Sequence, residues 1–200
     1  LKLEQLDVTN AFTQALIDDV DIYVDPPPGF GSKPIKLKKA LYGTKQASRL
    51  WQQTLRAWLV DPQQGFTQSE TEPCLYSKTD GQGRHIIVAV YVDDLVVAHN
   101  DEILFTKFKE GFLKHFRAKY LGPLSWFLGV AVDRDSKGVY HLHQTKYIND
   151  LVARFGKHAN GRRMDHGVPM TADDASKMKT ASDELEQTRM KQLPYLQLVG

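Results

Sequence analysis

Two hundred residues, 42% apolar, 25% charged and 10% aromatic, are enough for one domain or slightly more with a substantial core. A net charge of +2 excludes global basicity as a route to nucleic acid, so binding of that kind needs a local patch. The single Cys74 excludes an intramolecular disulfide framework and a cysteine-rich zinc site and fits a reducing compartment. No apolar run reaches the length of a membrane span, and no signal peptide opens the chain. The start at Leu1 and the unpunctuated LQLVG end read as cuts from something longer.

In chain order, residues 1–12 alternate in their first half. Leu6 and Val8 share one strand face, while Leu3, Gln5 and Asp7 share the other. The Thr9-Asn10 bend then opens a short helix. Residues 25–30, DPPPGF, form a rigid extended loop. Four lysines fall within residues 33–39, and a helix is predicted over 44–60. Its buried stripe is Ala47, Leu50, Trp51, Thr54, Leu55, Trp58 and Leu59, with Lys45, Arg49, Gln52, Gln53 and Arg56 on the other side. Such a basic, glutamine-rich face is either simply solvated or a grip for phosphates.

A short strand around 74–77 and a turn at 80–83 lead to IIVAVYVDDLVVAH, residues 86–99. This stretch reads as a buried hairpin with Asp93-Asp94 at the bend. A helix capped by Asn100 or Asp101 runs to about Phe116, buries Leu104, Phe105, Phe108, Phe112 and Phe116, and is broken by Gly122-Pro123. A second hairpin pairs 126–132 with 139–143, and 145–155 forms an amphipathic helix closed by Gly156. His141 and His143 share a strand face, but without a third ligand at a recognisable spacing they read as surface histidines. Residues 157–200 are more polar, a linker or an exposed helix. The fold class is α+β, an antiparallel sheet backed by helices.

Adjacent carboxylates at the end of a buried hairpin repel one another unless a cation sits there, and an ordinary exposed Asp-Asp turn is the other reading of the pair. Phosphoryl transfer asks a protein chiefly to hold metal ions that orient and neutralise oxygens. Asp7 at one strand end and Asp93 on a hairpin meet that need only if their strands are neighbours, which spacing alone does not establish. Asp93 is expected to lead, with Asp94 on the other side of its strand.

Across essentially its whole length the chain resembles the reverse transcriptases of copia-type retrotransposons. QLDVTNAF (5–12) resembles the first palm motif, YVDPPPGF (23–30) the proline-rich loop and KALYGTKQASRLW (39–51) the most diagnostic block. YVDD (91–94) resembles the polymerase signature, and KYLG (119–122) with WFLG (126–129) the segment after it. Residues 140–150 resemble the primer-side hairpin and the start of the thumb, and PYLQLVG (194–200) the start of the next block. Departures are Thr13 for a common Leu, Thr44 for the usual Leu, and Ala47-Ser48 for Ser-Pro.

The resemblance implies a polymerase right-hand palm over 1–156, with part of the fingers at about 23–80, and the start of a helical thumb or connection over 157–200. It implies RNA-directed DNA polymerase activity on a primed RNA or DNA template with deoxynucleoside triphosphates. Asp7, Asp93 and Asp94 would hold two Mg²⁺ ions (or Mn²⁺) with help from the Val8 carbonyl. Lys119 would protonate the departing pyrophosphate; a plain surface lysine is the other reading. Phe12 would exclude a ribose 2′-OH, and a core Phe is its alternative. Gly43, Lys45, Gln46, Arg49 and Tyr91 would lie by the nucleotide and template. The expected context is a Pol polyprotein with integrase and RNase H, in the cytoplasm within a virus-like particle and away from membranes. The isolated fragment, lacking upstream fingers, is expected to be inactive. The competing classes are a decayed transposon-derived domain that folds or binds nucleic acid without catalysis, and an unrelated metal-dependent phosphotransferase.

Overall fold

The computed structural model describes residues 1–18 and 20–156, together with Thr188 and Lys191. The described chain falls into two units, one ending at Leu124 and the other beginning at Ser125.

The first unit is built on a six-stranded antiparallel sheet in the order β4-β5-β6-β7-β1-β8. The strands are β1 (Lys2–Val8), β4 (Thr67–Gln68), β5 (Leu75–Thr79), β6 (His85–Tyr91), β7 (Asp94–His99) and β8 (Ala118–Pro123). The first strand in the chain is thus a central one, because β7 and β8 close on either side of it. Alternation sorts β1 as its sequence suggests. Leu6 and Val8 are fully buried with Glu4, while Leu3, Gln5 and Asp7 lie half-exposed on the opposite face.

The buried face carries Leu6, Val8, Ile86, Val88, Leu95 and Val97 and meets two helices, α1 (Ala47–Val60) and α2 (Glu102–His115). The α1 stripe buries Ala47, Leu50, Trp51, Leu55 and Leu59, and α2 supplies Phe105, Phe108 and Phe112. Rings dominate the junction: Trp51 meets Phe116 edge-on at 5.4 Å, and Trp58 meets Phe112 edge-on at 5.5 Å. The α2 start is set by Asp101, whose side chain accepts from the Leu104 N–H.

Before α1 the chain makes an excursion. A 3₁₀ turn (Ala11–Gln14) follows Asn10, which adopts φ 52°, a left-handed conformation that Asn tolerates. The two-residue strands β2 (Tyr23–Val24) and β3 (Ile35–Lys36) then pair across the proline-rich loop.

Three expectations need correction. The first helix starts at Ala47 rather than Thr44, because Gly43 at φ 90° and the Thr44 Oγ1 bond to the Leu41 carbonyl make a separate turn there. The stretch after α2, read as a breaker, is strand β8, paired with β1 from Val8↔Ala118 to Glu4↔Pro123. The predicted single strand over 126–132 is split by Leu128 (φ 48°) and Gly129 (φ 82°) into β9 (Trp126–Phe127) and β10 (Val130–Arg134).

The second unit holds the β9-β10-β11 sheet, with β11 at Tyr140–His143, and then α3 (Thr145–Phe155). Tyr147, Ile148 and Val152 of α3 are exposed. The part of the chain expected to begin a thumb lies outside the described residues, apart from Thr188 and Lys191.

Candidate nucleotidyl-transfer site

The site grows from strand register. Tyr91 on β6 is opposite Asp94 on β7, Asp94 is opposite Asp7 on β1, and Asp7 is opposite Lys119 on β8. Directly opposed residues of an antiparallel sheet share a face. Four residues singled out from the sequence therefore form one row across four adjacent strands: tyrosine, carboxylate, carboxylate, ammonium. At a strand spacing of about 4.8 Å the row is about 14 Å long. It lies on the face away from α1 and α2, with Asp7 and Asp94 half-buried and Tyr91 and Lys119 exposed.

This pairing corrects the turn. Because Tyr91 and Asp94 are partners, the two-residue loop is Val92-Asp93, and Asp94 is the first residue of β7. Asp94 is on the Asp7 face, not the opposite one. The turn was misplaced because Asp favours bends, whereas Val92 occupies the first bend position at φ 55°. Two-residue hairpin loops demand positive φ there and normally recruit Gly or Asn. A β-branched residue in that conformation costs of order 1–3 kcal/mol and persists only where its surroundings impose it. Two hydrogen bonds do so. The Val8 N–H donates to the Asp93 carbonyl at 2.8 Å, and the Trp51 indole N–H donates to the Val92 carbonyl at 2.6 Å.

The electrostatics follow. Burial, then the charges of Asp93 and Asp7, push the Asp94 carboxyl above its ordinary range, against a hydrogen bond with Gln5 that pulls it down. Asp7, Asp93 and Asp94 are hard oxygen donors of the kind Mg²⁺ selects, and their mutual repulsion is what a cation relieves. The residues therefore fit such an ion by donor chemistry. Among the described residues, no three His, Cys, Asp or Glu side chains converge closely enough to hold one as they stand.

The remaining candidates lie on other elements. Phe12 is half-buried in the 3₁₀ turn that leaves β1, its ring 4.5 Å from that of Tyr42. Gly43 follows directly at φ 90°. Lys45 and Gln46 precede α1, and Arg49 lies on its exposed side, donating to Gln53 at 3.3 Å. None of these three is on the sheet. His141 and His143 sit on the β10–β11 hairpin and each meets an aspartate, His141 with Asp135 at 3.2 Å and His143 with Asp133 at 2.7 Å.

Comparison with known proteins adds the decisive observation. Residues 1–169 match the family described as reverse transcriptase (RNA-dependent DNA polymerase). The chain belongs to the reverse transcriptase family. Its relatives place it among the copia-type retrotransposon members. It is 32% identical to the retrovirus-related Pol polyprotein of transposon TNT 1-94 from Nicotiana tabacum, over 100% of this chain and 15% of that protein. It is 39% identical to the corresponding polyprotein of transposon RE1 from Arabidopsis thaliana, over 76% of this chain and 10% of that one. A putative transposon Ty5-1 protein of Saccharomyces cerevisiae is 34% identical over 72% of this chain and 47% of its own length. This reverse transcriptase chain thus spans only a small part of the polyproteins it matches. Among its described residues, no helix is long and apolar enough to cross a membrane.

Two residues that touch the candidate set carry no site role in the sequence reading: Trp51, bonded to the Val92 carbonyl, and Tyr42, against the Phe12 ring. In the sequence Trp51 reads as part of the buried face of α1 and of the 39–51 motif, and Tyr42 as part of that motif alone. The lone polar atom of a buried indole was the available signal for the first, since such an N–H needs an acceptor. Nothing in the local sequence pairs Tyr42 with Phe12, thirty residues upstream.

Proposed function

We propose that the chain is the catalytic palm of an RNA-directed DNA polymerase, with part of the fingers, acting within a Pol polyprotein alongside integrase and RNase H. The observation that carries this reading is the Tyr91–Asp94–Asp7–Lys119 row, assembled from four strands on one face of the sheet. Asp7, Asp93 and Asp94, with the Val8 carbonyl, are the residues that would hold two Mg²⁺ or Mn²⁺ ions. When bound, such ions orient and neutralise the phosphate and hydroxyl oxygens of an in-line displacement.

The protein's own groups do the rest. Lys119, at the far side of Asp7, holds a proton available to the departing pyrophosphate. Phe12 places a ring beneath the sugar, where a 2′-OH would clash. Gly43, Lys45, Gln46, Arg49 and Tyr91 lie by the incoming deoxynucleotide and the template, Tyr91 opposite Asp94 on the neighbouring strand. The cytoplasmic, virus-like-particle setting belongs to the same reading.

Asp7→Asn in the polyprotein polymerase that contains this chain tests it by primer extension on a primed RNA template with Mg²⁺ and deoxynucleotides. The expected result is loss of extension with an unchanged circular dichroism spectrum. Extension at the parental rate would overturn the assignment.

A further inference from the structure

We propose, on the reading of the row as a polymerase site, that Trp51 is a positioning residue for the carboxylate turn. Its indole N–H holds the Val92-Asp93 loop in the strained form that sets Asp93 beside the strand-held Asp94. The bond runs 2.6 Å from Nε1 to the Val92 carbonyl, across 41 positions of sequence. Val92 is the residue whose φ of 55° is unfavourable for a β-branched side chain. The next carbonyl, that of Asp93, is taken by the Val8 N–H at 2.8 Å. Two consecutive peptide carbonyls of the turn are thus fixed from two elements, α1 and β1. Left alone, the loop would relax toward negative φ and swing the Asp93 carboxylate out of its place beside Asp94, which its pairing with Asp7 holds.

The anchor itself is immobile. Trp51 is 2% exposed and wedged edge-on against Phe116 at 5.4 Å, so the donor cannot follow a drifting acceptor. The plain alternative is a buried indole that has merely found an acceptor, as buried indoles do. It differs in what it predicts for the turn. If Trp51 only fills the core, its loss costs the same whatever residue stands at position 92. If it holds the loop against the preference of Val92, the loss shrinks once that preference is removed, because glycine adopts positive φ without strain.

The experiment is a double-mutant cycle in the full polyprotein polymerase, reading single-nucleotide incorporation. Trp51→Phe keeps a ring and deletes the donor. The expected result is about a tenfold fall in kcat, with the deoxynucleotide KM unchanged within about twofold. Against a Val92→Gly parent, the same substitution is expected to cost less than about threefold. Equal losses in the two backgrounds, or a loss below about twofold in the first, would overturn the tether. If Trp51→Phe fails to fold, benzothienylalanine at position 51 gives the same contrast, having the shape of tryptophan without the N–H. Asp7→Asn is run alongside. Surviving synthesis there overturns the polymerase reading, whereas lost synthesis with equal Trp51 losses overturns the tether alone.

Discussion

Removing a charge from the row is expected to make the protein more stable and, as a polymerase, inactive. Asp94 is the position to change. It faces Asp7 directly across β7 and β1, and Asp93 precedes it in the chain. The Cβ atoms of directly opposed residues stand about 4.5–5.5 Å apart, so about 5.5 Å serves as the scale for the separation of the two charges. Two unit charges at that distance repel by about 0.8 kcal/mol in a water-like medium and about 3 kcal/mol at an effective dielectric of 20. For a half-buried site, Asp94→Asn should therefore gain about 1–2 kcal/mol at neutral pH. The amide oxygen keeps the acceptor that Gln5 now uses.

At roughly 2–4 °C per kcal/mol for a chain of this size, the thermal midpoint should rise by about 2–8 °C in Mg²⁺-free, low-salt buffer. The sign with pH follows from the raised Asp94 carboxyl. A carboxyl that binds its proton more tightly when folded favours the fold below the unfolded value near 3.8, and that benefit is lost as pH rises through the folded value. The two proteins should thus converge below about pH 3.5 and separate toward neutrality. Millimolar Mg²⁺ should narrow the neutral-pH gap, since a cation at ten times its Kd stabilises the wild type by about 1.4 kcal/mol and the variant by less. A midpoint that falls or stays put without Mg²⁺ would refute the claim that these carboxylates are mutually repelled.

Two further predictions concern the scaffold. Tyr120→Phe removes the 2.7 Å hydroxyl bond to Oε2 of Glu4, a carboxylate only 7% exposed; urea unfolding should show a loss of about 1.5–3 kcal/mol at pH 7. Burial and the Glu4 bond push the Tyr120 hydroxyl up to about 12, so this contribution is full below pH 10 and should fade in the wild type, not the variant, between pH 10 and 12. Asp101→Ala deletes the α2 cap at the Leu104 N–H and should cost about 1 kcal/mol in the same assay, while Asp101→Asn should restore most of it.

Which parts of this were legible beforehand depends on the range over which each signal acts. The α1 and α2 stripes, the β6–β7 hairpin and the two faces of β1 were readable because side-chain periodicity is a local property. Strand β8 was not, since AKYLGP has no alternation and ends in Gly-Pro; it is a strand because β1 offers it a partner, with a register shift between Gln5 and Leu6 to accommodate it. The Asp7, Asp94 and Lys119 alignment was invisible for the same reason, being a statement about register between segments about a hundred residues apart. The resemblance to reverse transcriptases supplied the candidate residues without their geometry. It named Asp7, Asp93 and Asp94 together, and the register adds that Asp94 is the direct neighbour of Asp7.

The place of β1 in the sheet also bears on how the protein is made. It emerges from the ribosome before either strand that flanks it, and its pairing with β7 waits on residues 94–99. At about 5–20 residues per second that is a delay of roughly 5–20 s, during which β1 lacks its strand neighbour. The carboxylate row is complete only after β8 follows. Pairings this distant in sequence form slowly once the chain is free. Synthesis order therefore makes this a late-maturing centre, and the interval before β7 arrives is when a chaperone would have most to protect.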